Sequence, residues 1–492
     1  MLSKKNIFGI ILVLIPFALF LVLELALRAF GYADDLRLVA EIERNGKQYY
    51  TINQLVGKRY FNKDRLYFRK GSHDYFEINK SPNTVRVFCF GESTMAGFPY
   101  EYNAIPTEFL RDRLQAALPG KNIEVINTAI AAVNSYTVDE FVDELVKYKP
   151  DLFVVYLGQN EFYGVYGVGS TISIGKSRSL IKTYLWLGQF RSFTLIKNLI
   201  DSVEGIFKSD DTSENKVLME EMASTSIRYD SDDFRTAVST FRDNYAEIIA
   251  TARENNIPIV ISTLIRNENH LEPFVSFHST SISDSLKTRS KELYKLGLAK
   301  LNAGDYEAAA GYFTQSLSID SIPANVHYSL GKCYEQTGKY ELAEKQYSLA
   351  ADLDGLRFRA PSEFNDIIAR MGKEFMVPVA DVYDQFKLNS DNGIIGSNLL
   401  VDHVHPNIRG YFLLAKTWFM TIKQNKLLGV SPGVEESDSL IWATSAVTQL
   451  DSLIGAIRIM ELKSRPPFAK SDSVFNFVPH NPIEQLAYQY AV

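Results

Sequence analysis

Apolar positions along the chain fall into two rhythms. Short runs at 85–90, 123–128, 152–157, 258–264 and 377–382 are rich in Val, Ile, Leu and Phe, the composition of strands. Between them apolar residues return every three or four positions, most clearly at Phe234, Val238, Phe241, Tyr245, Ile248, Ile249 and Ala252, and that spacing puts them on one face of a helix. Strands alternating with helices predict a parallel sheet. Five such strands predict a doubly wound α/β domain.

A third pattern interrupts the alternation. Gly297, Gly304, Tyr306, Ala309, Phe313 and Asp320 recur 34 positions later as Gly331, Gly338, Tyr340, Ala343, Tyr347 and Asp354. The period, with small residues where two helices cross and aromatics one turn on, resembles the tetratricopeptide repeat. Ser321 and Gly355 stand where such repeats carry proline. Two copies are fewer than the roughly three that bury a solenoid core, so the pair must lean on its surroundings. A helix and a strand still follow, over 361–382, which predicts that the pair is inserted within the α/β domain rather than appended to it.

At the N-terminus residues 7–23 are apolar without interruption, and 25–27 continue the run past Glu24. At about 1.5 Å per residue it approaches the ~30 Å hydrocarbon core of a bilayer. Lys4 and Lys5 precede it, which by the positive-inside rule keeps the short N-terminus cytoplasmic and sends the rest to the periplasmic, extracytoplasmic side. A cleaved signal peptide is the alternative. Residues 27–31, LRAFG, lack the small-x-small cleavage pattern, which favours an uncleaved single-pass anchor over 1–32. Residues 180–207, "LIKTYLWLGQFRSFTLIKNLIDSVEGIF", read as amphipathic helix: a lid, a face resting on the membrane, or a helix packed on the sheet. The tail, 424–492, is helical in pattern and carries no legible chemistry.

Composition narrows the classes. With 46% hydrophobic and 22% charged residues over 492 positions, the chain is neither disordered nor collagenous. A net charge of −6 without a basic stripe gives no reason to expect nucleic acid as a partner. Cys89 and Cys333 have no second cysteine or histidine at metal-ligand spacing, and both read as small apolar core residues.

Ligands of a doubly wound sheet bind beyond the carboxyl ends of its strands. Four loops there carry chemistry: Gly91-Glu92-Ser93-Thr94 after the first strand, "INTAIAAVNS" across the second, "YLGQNEFYG" across the third, and "DHVHPNIRGY" after the last. Singly, a serine in such a turn is more often a helix cap, and an asparagine a local hydrogen-bonder. Together they meet the needs of acyl transfer: Ser93 as nucleophile, His405 as its base, Asp402 to orient the imidazole, and the Ser93 N–H with the Asn160 amide as oxyanion donors. His403 is the rival base. It is adjacent to Asp402, and neighbouring side chains on an extended segment point apart, whereas the third residue on can return to the same side. In "TLIRNENHLEPF", Asn267 and His270 are candidate substrate-cleft residues or ordinary loop, and Tyr163 is a candidate substrate wall or turn residue.

Gly91-Glu92-Ser93-Thr94, Gly158-Gln159-Asn160-Glu161 and Asp402-His403-Val404-His405 resemble the first, third and fifth sequence blocks of the SGNH (GDSL-type) hydrolases, a family of serine esterases and acyltransferases. The resemblance spans about residues 85–421. It implies a three-layer α/β/α fold, a Ser-His-Asp mechanism needing neither metal nor cofactor, and an oxyanion hole completed by a second-block backbone N–H, here that of Ala132. The family usually has aspartate at Glu92, Asn-Asp at Asn160-Glu161, and glycine at Ala132. Alanine supplies the same N–H provided its φ is negative.

The expected organisation is an anchor at 1–32, a linker region at 33–84, the hydrolase domain at 85–288 and 356–423, the repeats at 289–355, and the tail at 424–492. The expected activity is hydrolysis of an ester, such as an O-acyl group on a small molecule or glycan, through an acyl-enzyme. The alternatives are an O-acyltransferase using the same residues, and a non-catalytic scaffold whose repeats bind a protein or peptide.

Overall fold

Three short strands, β1 (Val39–Arg44), β2 (Lys47–Ile52) and β3 (Tyr75–Glu77), form an antiparallel sheet ahead of the α/β domain in the computed structural model, which describes residues 4–61, 74–207, 225–431, 433, 437–469 and 475–491. Residues 33–84 thus hold a folded element. Phe76 of β3 seats it on the main sheet, with its ring 5.4 Å from that of Phe88 and the Arg86 guanidinium 4.7 Å above it.

All five strands expected from the apolar runs form. They are β4 (Thr84–Gly91), β5 (Asn122–Asn127), β6 (Leu152–Tyr156), β7 (Ile259–Ser262) and β8 (Val379–Ala380), paired in parallel in the order β5-β4-β6-β7-β8. Every residue of β4, β6 and β7 is buried, because helices cover both faces and leave no polar side to the strands. Pro106–Ala117 and Ile408–Gln424 pack together as one layer. Ser135–Leu145, Asp232–Glu254 and Ser362–Glu374 form the other. The apolar stripe on Asp232–Glu254 is buried as its spacing requires, and Phe241 stacks on Phe364 at 4.2 Å. The helix starts where the Ser231 side chain accepts the Phe234 N–H, with Asp232 and Asp233 in the first turn.

The repeat pair is four helices, Asp284–Asn302, Tyr306–Ile319, Ala324–Gln336 and Tyr340–Leu353, lying in sequence between β7 and β8. It is an insertion in the α/β domain. Close crossing explains the periodic glycines: a Cβ at Gly297 would lie 2.5 Å from the Phe313 ring, and one at Gly331 would lie 2.9 Å from Tyr347. The pair leans on the sheet domain through Arg266–Asp352 (2.6 Å), Arg359–Asp354 (3.0 Å) and Lys387–Glu344 (2.7 Å).

The N-terminal helix runs Lys4–Ala29. Among the described residues no single helix is long and apolar enough to cross a membrane, and part of the expected span, at 7–13, has side chains outside the described residues. The amphipathic stretch forms two helices, Arg178–Gly188 and Arg191–Phe207. The first buries Ile181 and Leu185. The second stands beside the N-terminal helix and runs in its direction: Phe190 meets Phe20 at 5.4 Å, Glu24 accepts the Arg191 and Ser192 N–H groups, and Asn198 donates to the Tyr32 hydroxyl. Its start is capped by a carboxylate from the other helix. The tail is helical over Asp438–Thr444, Gln449–Lys463 and Pro482–Ala491.

Candidate active site

The loops after β4 and β6 meet the segment that carries Asp402 and His405, which follows β8 only after the helix Val382–Leu388. Ser93 opens a four-residue helical turn directly after β4, and the chain can turn there because Gly91 has no side chain: a Cβ would sit 2.3 Å from the Tyr156 carbonyl oxygen. His405 lies in a loop pinned by the Leu400–Pro406 bridge. Asp402 Oδ1 accepts the backbone N–H groups of Val404 (2.9 Å) and His405 (2.8 Å), folding the loop back on its own carboxylate. The third residue therefore returns to the aspartate, with His405 Nδ1 2.6 Å from Asp402 Oδ2. On the other side of the ring, His405 Nε2 is 2.7 Å from Ser93 Oγ. Ser93 is partly exposed, whereas Asp402 and His405 are buried.

The electrostatics fit those roles. Burial opposes a charge on Asp402, but the neighbouring imidazoles of His405 and His403, with the hydrogen bond from His405, outweigh it and hold the carboxyl well below the usual carboxylate range. An ionised Asp402 accepts the Nδ1–H of His405, leaving Nε2 with a lone pair toward the Ser93 hydroxyl. His403 is placed differently. Its Nδ1 is 3.4 Å from Asp402 Oδ1 with no hydrogen-bond partner, and its ring is enclosed by Phe358 and Phe468 at 5.8 and 5.6 Å. Burial pushes its pKa down. Asp402, His403 and His405 also bring potential metal-ligand atoms together. Both nitrogens of His405 are already engaged, by Asp402 and Ser93, and the donor set is that of a proton relay.

Asn160 follows β6 beyond Gly158, whose φ of +136° is closed to ordinary side chains and whose Cβ would meet Leu264 at 2.8 Å. The side-chain Nδ2 of Asn160 is buried without a hydrogen-bond partner. An unmet buried donor costs about 1–3 kcal/mol, and such donors occur where charge must develop. Glu92, beside the serine, holds this loop. One carboxylate accepts the backbone N–H groups of Gly158 (3.2 Å), Gln159 (2.8 Å) and Asn160 (3.0 Å). Burial raises its pKa to about 8 against the pull of those donors, with Glu161 adding to the rise. Glu92, where the resemblance leads one to expect aspartate, thus ties the loop that carries Ser93 to the loop that carries Asn160. Glu161 faces the other way and accepts the Ser135 N–H and hydroxyl, and burial lifts its pKa to about 7.

Three expectations need correction. Ala132 has a φ of +61°, not the negative value expected. Its loop lies against the Asn160 loop at Gly164, where a Cβ would be 2.7 Å from the Asn160 carbonyl oxygen and 2.9 Å from Asn134. A left-handed alanine costs about 1 kcal/mol. Ala132→Gly is therefore expected to raise stability by about 0.5 kcal/mol or leave it unchanged, the reverse of an ordinary alanine-to-glycine change, as a thermal melt would read. Tyr163 does not wall a cleft: it is buried, donates to the Thr225 carbonyl at 2.7 Å, accepts the Arg357 N–H at 3.2 Å and packs on Phe358. Asn267 is likewise buried, and its amide donates to the Asp402 carbonyl at 2.9 Å, so it supports the acid's loop. His270 Nδ1 accepts the Ser397 N–H at 3.3 Å, in the loop that leads to Asp402. The cysteines are buried and free, as expected.

Glu92 and Phe468 are the contributors the sequence alone left out. Glu92 was visible only as a departure from the family's aspartate. Phe468, in the tail, carried no signal.

Residues 293–322 and 324–355 match the tetratricopeptide repeat family. No curated protein matches the chain. Several solved structures are similar to it. The acetyl xylan esterase AlAXEase is 12% identical, over 69% of this chain and 100% of its own, at a TM-score of 0.32. A catalytic mutant of Axe2, an acetylxylan esterase from Geobacillus stearothermophilus, is 10% identical over 70% and 94%, at 0.31. The lipase/acylhydrolase from Enterococcus faecalis is 12% identical over 71% and 100%, at 0.32.

Proposed function

We propose that the protein is a serine hydrolase of ester bonds, working through an acyl-enzyme on Ser93. The observation that carries this is the unbroken relay from Asp402 Oδ2 to His405 Nδ1 at 2.6 Å and from His405 Nε2 to Ser93 Oγ at 2.7 Å, beside an Asn160 amide with no partner.

In the first half-reaction Ser93 Oγ bonds to the ester carbonyl carbon while its proton passes to His405 Nε2. The carbonyl oxygen becomes an oxyanion and is met by the Asn160 amide and the Ser93 N–H. Collapse breaks the bond to the leaving oxygen, which takes the proton from His405 and departs as an alcohol. In the second half a water oxygen bonds to the acyl carbon while its proton passes to His405; the bond to Ser93 Oγ then breaks, His405 returns the proton to Oγ, and the acid leaves. The imidazolium formed in each half faces the Asp402 carboxylate. Phe98, whose ring is 4.8 Å from that of His405, flanks the base.

The proposed setting is the extracytoplasmic face of a membrane, and the proposed substrates are O-acylated small molecules or glycans. The setting is supported by the apolar run at 7–23 behind Lys4 and Lys5, within a helix of 26 residues that would extend about 39 Å. Its side chains Phe17, Leu19, Leu21 and Val22 are exposed. Glu24, paired with Arg28 and capping Arg191–Phe207, sits past the apolar run.

Full-length protein in detergent, given a short aryl ester and a panel of acetylated glycans, tests the reading. Turnover of the aryl ester with release of free acid supports it, and no turnover of any ester contradicts it. With an added acceptor sugar, acyl transfer exceeding hydrolysis would make the protein an acyltransferase instead. Asn160→Ala is expected to lower kcat about 10²- to 10³-fold with little change in KM, since the amide meets charge only in the transition state.

A further inference from the structure

The chemistry leaves the repeat pair without a task, although its face is occupied. The chain leaving β7 toward the first repeat helix runs along the helix Ala324–Gln336. Asn269 meets its C-terminal end, where its side-chain amide donates to Glu335 at 3.0 Å, and its backbone carbonyl accepts the hydroxyl of Tyr328, whose ring reaches along the helix, at 2.7 Å. Glu272 pairs with Lys332 at 3.0 Å, and Ser276 Oγ lies 2.7 Å from Asn325 Oδ1 at the helix start. The contacts run in antiparallel order, as for a bound peptide.

The repeats' periodic aspartates close the grip. Asp320 and Asp354 occupy equivalent positions 34 apart and are each 2% exposed. Asp320 takes His278 Nδ1 at 2.6 Å and the Ser279 N–H at 3.2 Å. Asp354 takes the Phe274 and Val275 N–H groups and Arg359 Nη2, each at 3.0 Å. Arg359 Nη1 in turn donates to the carbonyls of Asn267 (2.9 Å) and Leu271 (3.1 Å). Asn267 then reaches the catalytic loop twice, through its N–H to the His403 carbonyl (2.8 Å) and its amide to the Asp402 carbonyl (2.9 Å). Polar contacts are continuous from the second repeat to Ser93.

We propose that the repeat pair takes this loop of its own chain as its ligand, and that Asp354 and Arg359 thereby act as positioning residues for Asp402 and His405. The kinetic consequence rests on the hydrolase reading, and the mechanical one rests on the geometry alone. Removing one partner of a buried ion pair strands the other, so the loop should loosen, and a small misplacement of a relay is costly in rate.

Hydrogen exchange by mass spectrometry on the full-length protein tests it, comparing wild type, Asp354→Asn and Arg359→Lys. Lys339→Ala, which breaks only an exposed pair with Glu307, is the control. In Asp354→Asn the amides of 266–279 and of 400–407 should both exchange about tenfold faster while β4 and β6 keep wild-type protection. Ester hydrolysis should lose about tenfold in kcat with KM within about twofold, and phosphonylation of Ser93 should slow in step. Arg359→Lys, which keeps the charge but loses the fork, gives the same pattern if Asp354→Asn does not fold. Release of 266–279 with 400–407 unchanged, or no change in either, overturns the proposal. An inactive wild type would overturn the hydrolase reading, and the exchange pattern would still decide this one.

Discussion

Ser93→Ala is expected to lower kcat on a short aryl ester by about 10⁴-fold or more, the scale on which a nucleophile is lost from a triad. The folded state should be unaffected. Ser93 is only partly buried, and its side chain's hydrogen bond is to His405, so the variant should melt within about 0.5 kcal/mol of wild type. What survives should come from substrate held against Asn160 and the backbone donor. Steady-state kinetics paired with a thermal melt checks both halves. A variant retaining a tenth of wild-type turnover would place the nucleophile elsewhere.

Asp402→Asn should cost about as much, roughly 10⁴-fold in kcat, by a different route. The side-chain oxygen of the new amide would keep the N–H groups of Val404 and His405 that now bind Asp402 Oδ1. Its NH₂ would then point at His405 Nδ1, which sits 2.6 Å from the present Oδ2. Two donors cannot face each other, so the imidazole must carry its proton on Nε2 and present N–H rather than a lone pair to Ser93. The loop stays folded while the base takes the wrong tautomer. A large loss of kcat with a near-native melt is the expected signature. His403→Asn should do far less, since its ring lies among Phe358 and Phe468 rather than on the serine, and the contrast separates the two histidines.

The sheet was legible because its strands are buried on both faces and therefore read as apolar runs. The antiparallel sheet of β1, β2 and β3 was not, for β1 and β2 are mostly half-buried or exposed and their alternation is too weak to stand out from a linker. Of the residues the structure brings together, Ser93 and Asn160 each follow a strand closely, whereas the helix Val382–Leu388 separates β8 from Asp402 and His405, which stood out by their spacing. Which way a loop residue faces is a tertiary property. Tyr163, in the Asn160 loop, and Asn267, in the segment after β7, turn inward, toward Arg357 and toward the Asp402 carbonyl. The φ of Ala132 depends on how two loops pack at Gly164, and no local pattern encodes that. Glu92 shows the opposite case, in which a departure from the aspartate that the resemblance led one to expect becomes intelligible once its three N–H partners are seen.

Treatment of the full-length protein with a fluorophosphonate, followed by peptide mapping, tests the central claim most directly. A phosphonylated serine forms quickly only where an alcohol, its base and oxyanion donors already converge. A single adduct is expected, on Ser93, absent in Ser93→Ala and slowed by orders of magnitude in Asp402→Asn. An adduct on another serine, or an unlabelled protein that is nonetheless folded, would contradict it.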